Sequence, residues 1–329
     1  MLIYLADILN WEGLIRTSYL RGFLAFLIAL VVSLMLGRRL IEFLRKHQKK
    51  GQPIREDGPQ SHLLTKKGTP TMGGFLILGS SVLSMLMFCN LSNAFVWVGI
   101  AVLIIYGAVG FADDYVKVTK QTSNAMTAKM KLLLQFTTAL VAILIISHYT
   151  SPESRYYLDF PYVSWKLNLC WLYIPFAMIV IAGASNGVNL SDGLDGLASG
   201  LLSIVFVVFI IGAYVAGGVL AWNGSVPNIA GAQEVAVMCA AIIGGCLGFL
   251  RFNIKPASVF MGDTGSLALG AFLGLVAVML KQEILLAIAG GVFVVESLSV
   301  MIQVGYYKLT KKRFFKMAPI HHHFEQIGW

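Results

Sequence analysis

Nine stretches of this 329-residue chain are predominantly apolar for 14 to 22 residues each. A helix of about 20 such residues spans the roughly 30 Å hydrocarbon core of a bilayer. The stretches run approximately Leu20–Gly37, Met72–Cys89, Ala94–Phe111, Leu132–Tyr149, Leu169–Gly187, Gly196–Gly217, Val235–Leu250, Leu267–Leu280 and Ile284–Gly305. With 57% hydrophobic and 12% charged residues, against about 25% charged in an ordinary soluble domain, the chain cannot clothe a water-facing surface. Strands of a membrane barrel alternate apolar and polar over about ten residues, which these runs do not. The sequence therefore predicts an all-α, polytopic membrane protein with nine transmembrane helices, forming a single domain over residues 1–329.

Lys and Arg concentrate in alternate connections, and the side that carries them is expected to face the cytoplasm. With the N-terminus outside, 20 of the 25 basic residues fall inside, in Arg38–Lys67, Lys117–Lys131, Arg251–Lys255 and Lys308–Lys316. That asymmetry accounts for the net charge of +9 without a nucleic-acid partner. Residues 1–19 carry acids and no compact apolar core before a small-residue cleavage site, so the first span is expected to act as its own insertion signal. Cys89, Cys170, Cys239 and Cys246 lie in or at the edge of apolar runs without metal-motif spacing; they are expected to be packing residues. The stretch from Arg38 to Lys46 continues the first span as a basic juxtamembrane helix suited to anionic headgroups.

The inward connections carry nearly all the notable polar residues. Asp113 and Asp114 end the third span, where adjacent carboxylates meet the negative end of a helix and call for a cation. Lys117, four and three residues on, is one candidate, and a divalent metal another. Asn189, Asp192 and Asp195 recur every three residues, so one helical turn would place them on one face, open to a ligand through Gly193 and Gly196. Capping by Ser191 or Asp192 explains only one of these acids. Asp263 begins the eighth span, either as a cap or as an oxygen ligand for Mg2+, and Phe260 before it can offer an aromatic face to a base. Lys66, Lys67, Thr69, Pro70 and Thr71 precede the second span as a helix start, with amides suited to an anion. His321, His322 and His323 suit donors or proton carriers beside a diphosphate. Glu296, inside the ninth span, is a costly intramembrane carboxylate and a functional candidate by default.

The runs GTPTMGG, GFADDYVK, NLSDGLDG, FMGDTGSLALG and APIHHHFE resemble those of the polyprenyl-phosphate N-acetylhexosamine-1-phosphate transferases. They cover nearly the whole chain in family order, and the last run is similar to the branch that uses UDP-MurNAc-pentapeptide. Ser191 stands where that family often has Thr. The resemblance implies transfer of phospho-MurNAc-pentapeptide to undecaprenyl phosphate, giving lipid I and UMP, with Mg2+ as cofactor. It also implies a multi-pass protein of the bacterial inner membrane, its active site facing the cytoplasm, and a homodimer.

Carried over by position, Asp113 and Asp114 correspond to the aspartate pair near the lipid phosphate, and Asp263 to the catalytic Mg2+ ligand. Asn189, Asp192, Asp195 and Phe260 correspond to the nucleotide pocket, with Phe260 stacking on uracil. Lys66, Thr71, Lys117, Lys129 and Asn253 correspond to groups around the diphosphate and sugar, as does His323, and His321 and His322 to catalytic groups there. Direct attack by the lipid phosphate, with Asp113 as base or orienting group, is the expected route, and an aspartyl phosphate the other. The family has ten spans, whereas this sequence ends after the ninth, so either it stops short of the tenth or the last family helix is absent. A UDP-GlcNAc-dependent transferase is the alternative within the same chemistry, disfavoured by the His run. A secondary transporter is the alternative from another class, disfavoured because only Glu296 sits near the membrane midplane.

Overall fold

The computed structural model describes residues 13, 17–48, 51, 68–122, 125–160, 165–220 and 228–328. Its helices are α1 (Ser18–His47), α2 (Gly74–Phe88), α3 (Ala94–Lys120), α4 (Ala128–Tyr149), α5 (Tyr173–Ser191), α6 (Leu197–Ala216), α7 (Ala232–Asn253), α8 (Gly262–Met279), α9 (Glu283–Ala289), α10 (Gly291–Thr310) and α11 (Ile320–Gln326). Eight of these helices are long and apolar enough to cross a membrane, and α2, at 15 residues, is a shorter apolar helix.

The centre of the bundle is α8, buried over its whole apolar window and packed against α5, α3 and α2. Glycines make that density possible. A Cβ at Gly110 of α3 would lie 2.1 Å from the Asp263 carbonyl oxygen, and one at Gly270 of α8 would lie 2.5 Å from that of Ala184 in α5. In lipid, where apolar area drives no helix association, such close backbone approach supplies the packing. Because α8 begins at the acidic connection, this contact also fixes where Asp263 stands. On the other flank α1 packs along α7, tied at one end by a buried pair, Arg21 to Glu234 at 2.6 Å.

Two departures from the sequence expectation lie here. The chain is not wholly α: β1 (Tyr157–Asp159) pairs antiparallel with β2 (Lys166–Asn168), Leu158 opposite Leu167. Three-residue strands are too short for periodicity to reveal. The ninth run is two helices, α9 and α10, divided at Gly290. The Gly290–Gly291 pair explains the break, since glycine is a weak helix former and glycine pairs are common kink sites. Of the cysteines, Cys89, Cys239 and Cys246 are buried as expected, but Cys170 is exposed.

At the end opposite the acidic connections, the hairpin and α9 enclose a second charged group. The Lys281 ammonium donates to the Arg155 carbonyl oxygen at 2.7 Å and sits 3.5 Å above the Tyr173 ring. The Tyr173 hydroxyl donates to Glu283. Lys281, Glu283 and Asp159 are all buried.

Candidate active site

Helices α3, α5 and α7 end, and α4, α6 and α8 begin, at one end of the bundle, where the polar residues of six helices meet. The adjacent acids closing α3 are separated by the turn of the helix and do different things. Asp114, fully buried, accepts from the amides of Asp263 (3.2 Å) and Thr264 (2.9 Å) and from the Thr264 hydroxyl (2.7 Å). It thereby caps α8 from a neighbouring helix, satisfying amides that have no partner inside α8 and placing negative charge at the positive end of its dipole.

Asp113 faces the other way. Its Oδ1 accepts from the Met126 amide at 3.0 Å, which anchors the α3–α4 connection. Its Oδ2 lies 2.6 Å from the Lys117 ammonium and 3.2 Å from that of Lys131. The same two ammonium groups lie 3.1 and 2.7 Å from Oδ2 of Asp263. Four charges of alternating sign, from α3, α4 and α8, thus form a closed ring. Asn189 of α5 steadies it, its amide donating to Asp263 Oδ1 and to the Ser266 hydroxyl, both at 2.8 Å.

Beside the ring lies a cleft of about 880 Å3 bordered by Asp195, Lys255, Phe260, Glu296, His321 and Phe324. Phe260 is held by backbone pairing: its amide donates to Pro70 O at 2.9 Å and its carbonyl accepts from Gly73 N at 2.8 Å. His321 Nδ1 lies 3.0 Å from Glu296 Oε2, so the carboxylate in α10 meets the His run across the cleft. His322 Nδ1 contacts Glu325 at 3.0 Å, and its ring packs against that of His321.

Several sequence expectations change. Asn189, Asp192 and Asp195 do not share one helical turn, because α5 stops at Ser191 and the chain turns before α6. Gly196 at φ +79° adopts a backbone open to glycine at no steric cost, and a Cβ at Gly193 would strike His321 Nε2 at 2.3 Å. Consequently Asn189 faces the ring while Asp195 borders the cleft, accepting from the Ala257 amide at 3.2 Å, and Asp192 closes α5. Neither Ser191 nor Asp192 caps α6, whose N-cap is Gly196 with no side-chain cap.

The start of α2 is not an open anion site, since Gly73 and Gly74 donate to the carbonyls of Phe260 and Met261. No side chain caps α2, and Thr71 is fully buried. Asn253 is likewise structural: it accepts from Gly196 N at 2.9 Å and donates to Val259 O at 3.0 Å, joining two connections. His323 accepts from the Lys316 amide at 3.2 Å and does not border the cleft. Lys129 is exposed, and Lys66 lies outside the described residues. Lys131, which the sequence reading left out, completes the ring.

Residues 96–281 match the family described as glycosyl transferase family 4. Over its full length the chain is 45% identical to the phospho-N-acetylmuramoyl-pentapeptide-transferase of Bartonella quintana (strain Toulouse), spanning 92% of that relative.

Proposed function

We infer the reaction from family and site together, since the chain belongs to the phospho-N-acetylmuramoyl-pentapeptide-transferase family. It is a multi-pass membrane transferase that passes a sugar phosphate to a lipid acceptor in peptidoglycan synthesis. In our reading the donor is UDP-MurNAc-pentapeptide, the acceptor undecaprenyl phosphate and the products lipid I and UMP. The excess of basic residues in the connections at the ring's end, 20 of 25, supports a cytoplasmic site in the inner membrane. A homodimer remains part of the proposal through the family resemblance.

One observation carries the chemistry: Lys117 and Lys131 each bridge Asp113 and Asp263. Phosphoryl transfer depends chiefly on positioning and on charge neutralisation, and these ammonium groups are held where a diphosphate can meet them. An acceptor phosphate oxygen bonds to the phosphorus bearing the sugar, and the bond from that phosphorus to the UMP oxygen breaks. Asp113 orients the acceptor or takes its proton, while Lys117 and Lys131 hold the charge that builds on the departing UMP. Phe260 stacks on the uracil in the cleft, near Asp195.

The donor set fits Mg2+, which commonly uses one or two carboxylates and completes its shell with phosphate and water. Asp263 would hold it, with Asp113 beside. Bound there, the ion supplies Lewis-acid charge to the diphosphate. Among the described residues no group of three or more His, Cys, Asp or Glu could cage a metal; in this reading the substrate supplies the rest of the shell.

Rapid mixing with labelled donor, with and without undecaprenyl phosphate and Mg2+, tests this function. UMP release is expected only when both are present. A burst equal to the enzyme concentration without acceptor, leaving sugar phosphate on the protein, would overturn direct attack.

A further inference from the structure

We propose that a cavity between the ends of α1 and α7 is a binding site for the phosphate headgroup of an anionic membrane lipid. The cavity, about 450 Å3, is bordered by Arg38, Arg45, Arg251, Glu42, Phe252 and Ser258 among others. It stands apart from the ion-pair ring, which rests on α3, α4, α5 and α8.

The α1 sequence builds one wall. Arg38, Ile41, Glu42 and Arg45 follow the i, i+3, i+4, i+7 spacing that shares a helix face, with Ile41 buried beneath. Arg251 comes from the last turn of α7. Gly37 lets α1 reach α7, since a Cβ there would lie 2.2 Å from the Phe252 ring. Beside that contact the three guanidinium groups border one space with a single carboxylate. No ion pair among the described residues involves Arg38, Arg45 or Arg251. All three are exposed, so their charges are open to an anion entering from outside the chain.

Position and chemistry favour a lipid. At 30 residues, α1 is about 45 Å long at 1.5 Å per residue, longer than the roughly 30 Å hydrocarbon core, so its final turns reach headgroup depth. Leu34, on the border of the cavity, is 41% exposed and continues the wall toward the hydrocarbon, where an acyl chain can follow it. Guanidinium forks match phosphate oxygens, and basic pockets between membrane helices are a recurrent headgroup site. The cavity and the cleft share one loop. Ser258 borders the cavity while Ala257 and Phe260 border the cleft, and the Ser258 amide donates to Phe252 O at 2.8 Å.

The test uses the whole protein in nanodiscs of phosphatidylcholine, alone or doped with phosphatidylglycerol, and counts lipid retained on release by native mass spectrometry. The wild type is expected to retain phosphatidylglycerol preferentially. Arg38→Gln with Arg251→Gln should cut that preference about tenfold, equivalent to about 1.4 kcal/mol, whereas Arg39→Gln, outside the cavity on the same helix, should not. Arg45→Gln and Arg251→Gln singly should each give a smaller loss, which keeps the idea testable if the double variant misfolds. Unchanged preference in all three cavity variants would overturn the site. Displacement of the lipid by inorganic phosphate, as effective as by phosphatidylglycerol, would overturn the lipid as its occupant.

Discussion

Two residues apart on α4, Lys129 and Lys131 point about 200° from one another, and only the second reaches the acids of α3 and α8. Lys131→Met should lower kcat at least about a hundredfold, roughly 2.7 kcal/mol of barrier, whereas Lys129→Met should change it less than about threefold, as UMP-release assays would register. Asp263→Asn should abolish turnover in a protein that still inserts and folds; activity within about tenfold of wild type, roughly 1.4 kcal/mol, would remove it as the essential ligand. The neighbouring acids should separate by phenotype. Asp114 caps α8, and losing a cap to Ala costs about 0.5–2 kcal/mol, so Asp114→Ala should lower both the melting temperature and kcat. Asp113→Asn, which can still accept from the Met126 amide but leaves two ammonium groups facing one carboxylate, should lower kcat further and lower melting less. An inactive Asp114→Ala protein that melts like wild type would refute the capping role.

Among the elements, the turn between α5 and α6 and the short helix α11 are fitted to each other through Gly193, which has no room for a Cβ beside the His321 ring. Gly193→Ala should push α11 from the cleft. At the roughly 1–3 kcal/mol typical of overpacking, UMP affinity by calorimetry should fall about tenfold to a hundredfold. Gly200→Ala, with open space at its Cβ, is the control, and equal affinity in both variants would show that the ring simply gives way. The break at Gly290 belongs to the same scale: it lets the ninth apolar run serve as two helices, the second presenting Glu296 to His321. Glu296 was legible as an intramembrane acid, but its partner, 25 positions along the chain, was not.

For the molecule as a whole, the buried charges at the end away from the ring should contribute to its pH response. Burial raises the Glu283 carboxyl from 4.5 to about 7 against the pull of Lys281, and burial lowers Lys281 from 10.5 to about 8 against the pull of Glu283. Between pH 4.5 and 7 the folded protein keeps a proton that the unfolded chain releases, so this contribution to stability falls as pH rises. Between pH 8 and 10.5 the unfolded chain holds the extra proton, and stability rises with pH. Melting temperature in detergent should therefore dip between pH 7 and 8. Glu283→Gln should reduce the fall between pH 5 and 7, and an identical slope in the variant would contradict the assignment.

The sequence by itself determined the solvent, the helical class and the end of the bundle where the polar residues gather. Apolar run length, basic-loop asymmetry and local acidic motifs are properties of short segments, readable without contacts. It also exposed Asp113, Lys117, Asn189 and Asp263, which the fold gathers into one ion-pair ring, because polar groups at the ends of apolar helices stand out. Only the tertiary structure decided what each residue does. Asp114 and Asn253 share motifs with exposed neighbours, yet helix rotation and the packing of α8 turn them inward, one to a cap and the other to a joint. Lys131 enters the ring for the same reason, since a pairing across 132 positions depends on how four helices pack and leaves no local periodicity to read.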